Sequence, residues 1–292
     1  MEIKVFTEII REELEKRTGL EVRAQEVRKN NNVILHGINI IKKDSNISPV
    51  ICMKSYHEAY EQGAELSEIA EQIYQVYQRE KMNTTFDVKW FKDWENVKGQ
   101  VAYKLINYME NVELLESIPH ERFLDLAKVY YVSVDCEKLG KGTILIHNCH
   151  LDIWGISAEQ LRLVADENTP KLLPAEIGSM YEVMKSILGY EMEEDFKEYP
   201  MYVATNNQKL FGAAVLCYPG VIKEFAEQLE SDLFILPSST HEVIIVMPKE
   251  DGSADVLKEM VCEVNSTMIQ SEEILSDSVY FYSRDTDTLS IA

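Results

Sequence analysis

Asp232-Leu233-Phe234-Ile235-Leu236-Pro237-Ser238-Ser239-Thr240-His241-Glu242-Val243-Ile244-Ile245-Val246-Met247 reads as two short apolar runs on either side of a polar turn. Runs of β-branched and aromatic residues bounded by Pro and Ser are strand signals, so 232–236 and 242–247 are expected to be strands. Upstream, 201–205 and 210–216 flank Asn206-Asn207-Gln208-Lys209, a second hairpin signal. A helix is expected from Pro219, with Ile222, Phe225, Ala226 and Leu229 inward. Downstream of Asp251-Gly252, Val256, Met260, Val264 and Met268 recur every four residues, which predicts a helix with these side chains inward. Segments 278–283 and 288–291 then pair across 284–287. The order ββαββαββ predicts a mostly antiparallel sheet with helices on one face. No alternating βαβ run appears, which argues against a Rossmann-type sheet. The expected fold class is α+β.

The N-terminal and middle parts read as helix-rich. Ile3, Phe6, Ile10 and Leu14 mark a first helix stopped by Gly19. Segments 21–28 and 33–41 surround Asn30-Asn31-Asn32 and predict a hairpin, because asparagine tolerates a left-handed turn. A short strand at Pro49–Met53 and a helix carrying Leu66, Ile69, Ile73 and Val76 follow. Trp90 and Trp94 are expected four apart on one short packing helix, and 102–109 on another helix. Strands are expected at 127–134 and 143–147 around a turn at Gly140-Lys141-Gly142. Ser157-x-x-Gln160 is a capping box opening a helix that should end before Pro170. Ile177, Met180, Met184 and Ile187 predict one more helix, closed by Gly189. The charged stretch 191–198 is taken as a connector. It divides a helical and mixed region, 1–195, from a C-terminal α+β region, 196–292, unless the two form one continuous domain.

Acidic residues outnumber basic ones 50 to 29, for a formal charge of −21 over 292 residues. Nucleic-acid binding draws its non-specific affinity from Lys and Arg, and anionic membrane attracts the same charge, so neither is an expected partner. No stretch approaches the ~18 apolar residues of a membrane span. The cysteines, Cys52, Cys136, Cys149, Cys217 and Cys262, are five and scattered, which fits free thiols in a cytoplasmic protein.

Two clusters invite chemistry. His147-Asn148-Cys149-His150-Leu151-Asp152 holds metal-binding side chains, but zinc sites complete their ligands from a second cluster and none exists here. It is read as a strand end with a buried cysteine and a surface histidine. No metal site and no cofactor are expected. Ser238 or Ser239 beside His241 and Glu242 resembles the ingredients of nucleophilic catalysis. Triads, however, assemble from separate elements, and neither a G-x-S-x-G elbow nor H-E-x-x-H is present. No glycine-rich phosphate loop occurs, and Met180, Met184, Met260 and Met268 are read as core fillers.

Five further segments carry a family resemblance: Val203-Ala204-Thr205-Asn206, Gly212-Ala213-Ala214 leading to Tyr218-Pro219-Gly220, Leu236 through Val243, Glu263-Val264-Asn265, and Leu275 through Tyr280. With Pro49-Val50, Tyr56, Tyr60 and Gly63, they make the chain resemble a bacterial (Firmicutes) domain-of-unknown-function family, number 5688. The resemblance implies a cytoplasmic bacterial protein and carries over no catalytic residue. It singles out Ser238, Ser239, His241 and Glu242, with Asn206 and Asn265, as the place to look. The leading expectation is a non-enzymatic binding or regulatory module for a protein or small ligand. Alternatives are a hydrolase or transferase using the Ser238/Ser239–His241–Glu242 loop, and an acidic decoy that mimics DNA.

Overall fold

A computed structural model describes residues 1–42, 46, 48–79, 86–136, 140–188, 201–248 and 253–292. These residues gather into two compact units, Met1–Lys89 with Val134–Gly142, and Trp90–Ser133 with Thr143–Ala292. The class is α+β, with antiparallel sheets throughout the described residues. The expected connector at 191–198, Gly189 and Asp251-Gly252 all lie outside the described residues.

In the first unit, helix α1 (Ile3–Thr18) ends where Gly19 takes φ 64°, a conformation glycine adopts freely. Strands β1 (Glu21–Arg28) and β2 (Ile34–Ile41) form the expected hairpin, with Asn31 and Asn32 at φ 56° and 59°. Strand β3 (Ile51–Cys52) adds to β2, and helices α2 (Lys54–Glu61) and α3 (Leu66–Arg79) follow. Phe6, Ile10 and Leu14 meet Val22, Ile38, Ile69 and Ile73 in one apolar core.

Two short helices, α4 (Val88–Lys92) and α5 (Trp94–Val97), come next instead of one. Asp93 interrupts them by accepting the Glu95 N–H at 3.0 Å, which starts the second helix. Strand β4 (Val101–Asn107) replaces the expected helix at 102–109. Its residues are buried on both faces, so no period-two pattern marks it. After α6 (Val112–Leu115) come β5 (His120–Phe123), β6 (Leu126–Cys136) and β7 (Gly140–Leu145), in a four-stranded sheet with β4 and β5 flanking β6. Gly140 thus begins a strand where a turn was expected. Helix α7 (Asn148–Trp154) likewise replaces the expected strand end.

Helix α8 (Ala158–Leu172) carries the capping box, Gln160 N–H to Ser157 Oγ at 3.2 Å, and runs through Pro170. A proline inside a helix costs about 3 kcal/mol. The helix continues because the residues just before it are fixed on β4. Thr169 Oγ1 accepts the Tyr103 N–H at 3.1 Å, and Asn168 Nδ2 donates to the Val101 carbonyl at 3.2 Å. The outward backbone groups of an edge strand are thereby satisfied by a helix.

The six-stranded sheet holds β8 (Ala175–Ser179), β9 (Met201–Asn206), β10 (Leu233–Leu236), β11 (Val243–Val246), β12 (Tyr280–Ser283) and β13 (Thr288–Ile291), in the order β13-β12-β10-β11-β9-β8. Helix α9 (Met180–Leu188) is shorter than expected because 175–179 pair with β9, Ala175 opposite Asn206 and Ser179 opposite Tyr202. Long-range pairing overrides local helical spacing there. With β8 and β11 on its two sides, β9 has no slot for the expected strand at 210–216. That segment coils instead into a buried 3₁₀ helix, Gly212–Cys217.

Helices α10 (Val221–Leu229) and α11 (Ala254–Thr267) divide between the faces of this sheet. Phe225 of α10 meets Tyr202, ring centroids 5.0 Å apart, on the face that Ile245 and Ile235 share by register. Leu257 and Val261 of α11 pack on Phe234, Leu236 and Ile244, the other face. Val256, Met260 and Met268 point outward, so Met260 and Met268 are not core fillers. The inward row, Leu257, Val261 and Asn265, was hidden because its last member is polar.

Thr169→Val keeps the shape of the side chain and strands the buried Tyr103 N–H. It is expected to cost about 1–3 kcal/mol in urea unfolding.

Candidate functional site

The loop 237–242 leaves β10 and returns to β11, and it is stitched along its length to residues 273–276. The Leu275 and Ser276 N–H groups donate to the Ser238 and Pro237 carbonyls at 3.0 and 2.9 Å, and Thr240 N–H donates to the Glu273 carbonyl at 2.9 Å. Ser239 is buried, and its Oγ accepts the His241 N–H at 3.0 Å, closing its own turn. His241 Nδ1 accepts the Phe211 N–H at 3.3 Å, which places the ring proton on Nε2, 3.5 Å from Glu273 Oε1. The imidazole stacks on Phe211, centroids 5.8 Å apart and planes 12° apart, and Lys104 Nζ lies 4.2 Å from the Phe211 ring centroid.

Both ring nitrogens of His241 therefore face groups other than a serine hydroxyl. A nucleophile–base pair needs the opposite arrangement. Ser238 contributes its carbonyl to the stitching, and Glu242 is half-buried beside the start of β11. Asn206 is fully buried and organises the turn after β9: its Oδ1 accepts Gln208 N–H at 3.0 Å, and its Nδ2 donates to the Leu210 carbonyl at 2.8 Å. The turn it organises leads to Phe211, whose N–H meets His241 Nδ1. Asn265 lies on α11 and donates to the Ser276 carbonyl at 3.0 Å and to Asp277 Oδ1 at 2.7 Å. Five of the six residues singled out in the sequence, all but Glu242, are thus tied by hydrogen bonds into a scaffold of loops.

The backbone of this scaffold passes very close to itself. A Cβ on Gly212 would collide with Thr205 Oγ1 and the His241 carbonyl, and that hydroxyl donates to that carbonyl at 2.7 Å. Only a residue without a side chain fits between them.

Sequence reasoning missed Asp125. Its Oδ2 accepts the Ser276 and Ser278 hydroxyls at 2.6 and 2.9 Å, and its Oδ1 accepts the Tyr280 hydroxyl. Burial, and then the Asp125 charge, push the Tyr280 phenol well above its ordinary range. One aspartate among 50 acidic residues carries no signal by itself. The Ser276-x-Ser278-x-Tyr280 spacing does place three hydroxyls on one side of an extended chain.

A cleft of about 190 Å³ opens beside β12 and β13. Leu216, Ile222 and Leu289 supply apolar lining, and Tyr282, Lys223 and Asp287 supply polar groups. Tyr282 OH donates to Asp287 Oδ1 at 2.6 Å, and Lys223 Nζ lies 2.9 Å from Asp287 Oδ2. The Tyr282 hydrogen bond and then the Lys223 pairing hold the Asp287 carboxyl below its usual range. Burial and the same carboxylate push Tyr282 up to about 12.

The model of a family described as "Family of unknown function (DUF5688)" matches residues 3–284. The chain belongs to this family. No curated protein and no solved structure matches it. The segments that carried the resemblance, from Pro49 to Tyr280, all fall within the matched span. The DUF5688 match covers the scaffold around His241 and the Asp125 hub. It extends across β12 to Arg284, so the cleft's outer wall at Asp287 and Leu289 lies just beyond it.

Two other clusters in this DUF5688 protein have structural work. Lys128 Nζ sits between Glu121 and Asp166, at 2.9 and 3.1 Å, and 5.1 Å from the Tyr103 ring centroid. Burial opposes its charge, but those two carboxylates outweigh burial and raise its pKa. Cys217 nearby is pushed up to about 12 by burial, which keeps it a thiol and a poor nucleophile. The His147–Asp152 segment forms the start of α7, where His150 Nδ1 accepts the His147 N–H at 3.0 Å. Cys149 is exposed and His150 is the half-buried member, the reverse of the expected order. His150 packs edge-on against Phe91 at 5.1 Å, and burial followed by the nearby His147 lowers its pKa. Among the described residues no group of three or more His, Cys, Asp or Glu is placed to hold a metal ion.

Gly212→Ala is expected to lose about 1–3 kcal/mol through forced overpacking. Ser239→Ala, which strips one acceptor from a buried turn, should lose about 1 kcal/mol; chemical denaturation measures both. For His150 the folded pKa is depressed, so the unfolded chain takes up the proton first as pH falls. Stability is therefore fully present above the unfolded value of about 6.5 and declines as pH drops toward the folded value. His150→Gln, which can still accept the His147 N–H, should flatten that part of the melting-temperature profile.

Proposed function

We propose that this chain is a non-enzymatic binding module that recognises a protein partner through its C-terminal sheet. The cleft beside β12 and β13 carries the reading. At about 190 Å³ it is smaller than the roughly 300–1,000 Å³ of pockets that engulf a whole small ligand, and it suits a single anchoring side chain. Apolar walls with a few convergent polar groups are the usual chemistry of such an anchor site. The His241 loop supports the same reading from the other side, because its hydroxyl and imidazole are committed to the fold. The charge of −21 disfavours nucleic acid as the partner. No helix among the described residues is long and apolar enough to cross a membrane. We further infer a place in the bacterial cytoplasm, a Firmicute's by family resemblance, from the scattered cysteines, of which Cys52, Cys149, Cys217 and Cys262 are free among the described residues.

Side-chain mimics test this directly. p-Cresol and isovaleramide, titrated into the ¹⁵N-labelled chain, are expected to shift the amide signals of Leu216, Ile222 and Leu289, and Leu289→Trp should abolish the shifts by filling the cleft. Turnover of an ester or amide panel that disappears in Ser239→Ala would instead establish the hydrolase reading.

A further inference from the structure

Among the described residues, the second unit covers one sheet edge with a helix and leaves the β13 edge without a partner strand. The outward groups of β4 are taken up by Asn168 and Thr169 of α8. Strand β13 ends the six-stranded sheet and pairs only with β12 among the described residues. Its register shows which groups are free. Ala292 N–H donates to the Val279 carbonyl at 2.9 Å, so 292 and 279 are a hydrogen-bonded pair. Antiparallel ladders alternate such pairs with non-bonded ones, which makes Ile291 opposite Tyr280 and Leu289 opposite Tyr282 the non-bonded pairs. The N–H and C=O groups of Leu289 and Ile291 therefore point away from β12, along the open edge.

The side chains of the same two residues share the face of Tyr280 and Tyr282. On that face Leu289 lines the cleft, and Ile291 is 49 % exposed. A strand added to β13 would project every second side chain onto this face. The side chain opposite Leu289 would enter the cleft. Backbone donors and acceptors and an anchor pocket thus lie within one strand's reach, the arrangement that β-strand addition uses.

The charge around the cleft selects the guest. Lys223 is neutralised by Asp287. Glu224 lies beside Gly220, a residue of the cleft wall, where an added Cβ would come within 3.2 Å of its Oε1. Glu227 acts on both Lys223 and Tyr282. Neither glutamate has a salt bridge among the described residues, and the chain as a whole carries −21. A second copy of the chain would bring one acidic edge against another, whereas a basic segment would be attracted.

We infer that β13 is a docking edge for an extended, basic polypeptide segment of a partner protein, which adds as a further strand and seats one apolar side chain in the cleft. This rests on the binding-module reading given above.

Fluorescence anisotropy with a fluorescein-labelled heptapeptide alternating lysine and leucine tests it on the full chain. The peptide should bind, and more weakly as salt rises. Peptides N-methylated at alternate amides along one side or along the other should behave differently. One pattern removes the donors facing β13 and should cost about tenfold or more in affinity, and the other should not. Ile291→Pro deletes an outward N–H without touching the ladder to β12 and should weaken binding by a similar factor with the melting temperature unchanged. Absence of binding, or equal binding of both methylated peptides, overturns the inference. So does sedimentation that shows a dimer dissociated by Ile291→Pro, because the edge would then belong to a second copy. The cleft titration with p-cresol does not involve the edge backbone. If that titration succeeds while the methylated peptides bind alike, the inference falls and the binding-module reading stands.

Discussion

Three hydroxyls converge on one carboxylate. Asp125, in the turn between β5 and β6, accepts hydrogen bonds from Ser276, Ser278 and Tyr280, and much of the second unit is arranged around that fact. A carboxylate drawn out of water must be repaid in hydrogen bonds, each charge-assisted one contributing about 1.5–3 kcal/mol. The bonds fix segment 275–280, which joins the four-stranded sheet to the start of β12. Asn107 reinforces the junction by donating to the Leu275 carbonyl at 3.0 Å. With 275 and 276 held, their N–H groups are positioned to pair with Pro237 and Ser238, and the loop between β10 and β11 has a template to lie on.

That chain of dependence explains the state of the His241 loop. A buried irregular segment has to satisfy its own backbone polar groups, because water does not reach them. Here the partners are the neighbouring loops and the small hydroxyl side chains. Ser239 serves His241 N–H, Thr205 serves the His241 carbonyl, and His241 Nδ1 serves Phe211 N–H. The residues that look reactive in one dimension are the ones whose short polar side chains close turns. In this fold Ser239 Oγ and His241 Nδ1 each give a lone pair to a backbone N–H, and Thr205 Oγ1 gives its proton to a backbone carbonyl.

The outer end of the sheet follows a different rule. Around β12 and β13 a cleft is lined by both apolar and polar groups, a carboxylate and an ammonium pair in its wall at 2.9 Å, and the last strand is paired on one side alone among the described residues. Polar groups are turned inward at one end of the sheet, and the surface stays partly open at the other.

The elements legible in the sequence were those whose signals are local. Gly19 after the row Phe6, Ile10 and Leu14, the asparagines between β1 and β2, the Ser157–Gln160 box, and the apolar runs of β10 and β11 each declare themselves within a few residues, because capping, turn geometry and burial periodicity act over that range. The α+β class and the DUF5688 membership were also readable. Candidate residues such as Ser239 and His241 could be found by type, but their roles could not. Segments 101–107 and 175–179 are strands only because β6 and β9 lie beside them, and 210–216 is not a strand only because β9 is already paired on both sides. The Asp125 hub joins residues about 150 positions apart, and the cleft draws its walls from the 3₁₀ helix, α10, β12 and β13. Hydrogen-bond partners and cavity walls are set by which distant backbones come together, so the sequence by itself determined the local grammar and the class, and only tertiary pairing decided which polar groups were consumed and which edge was left open.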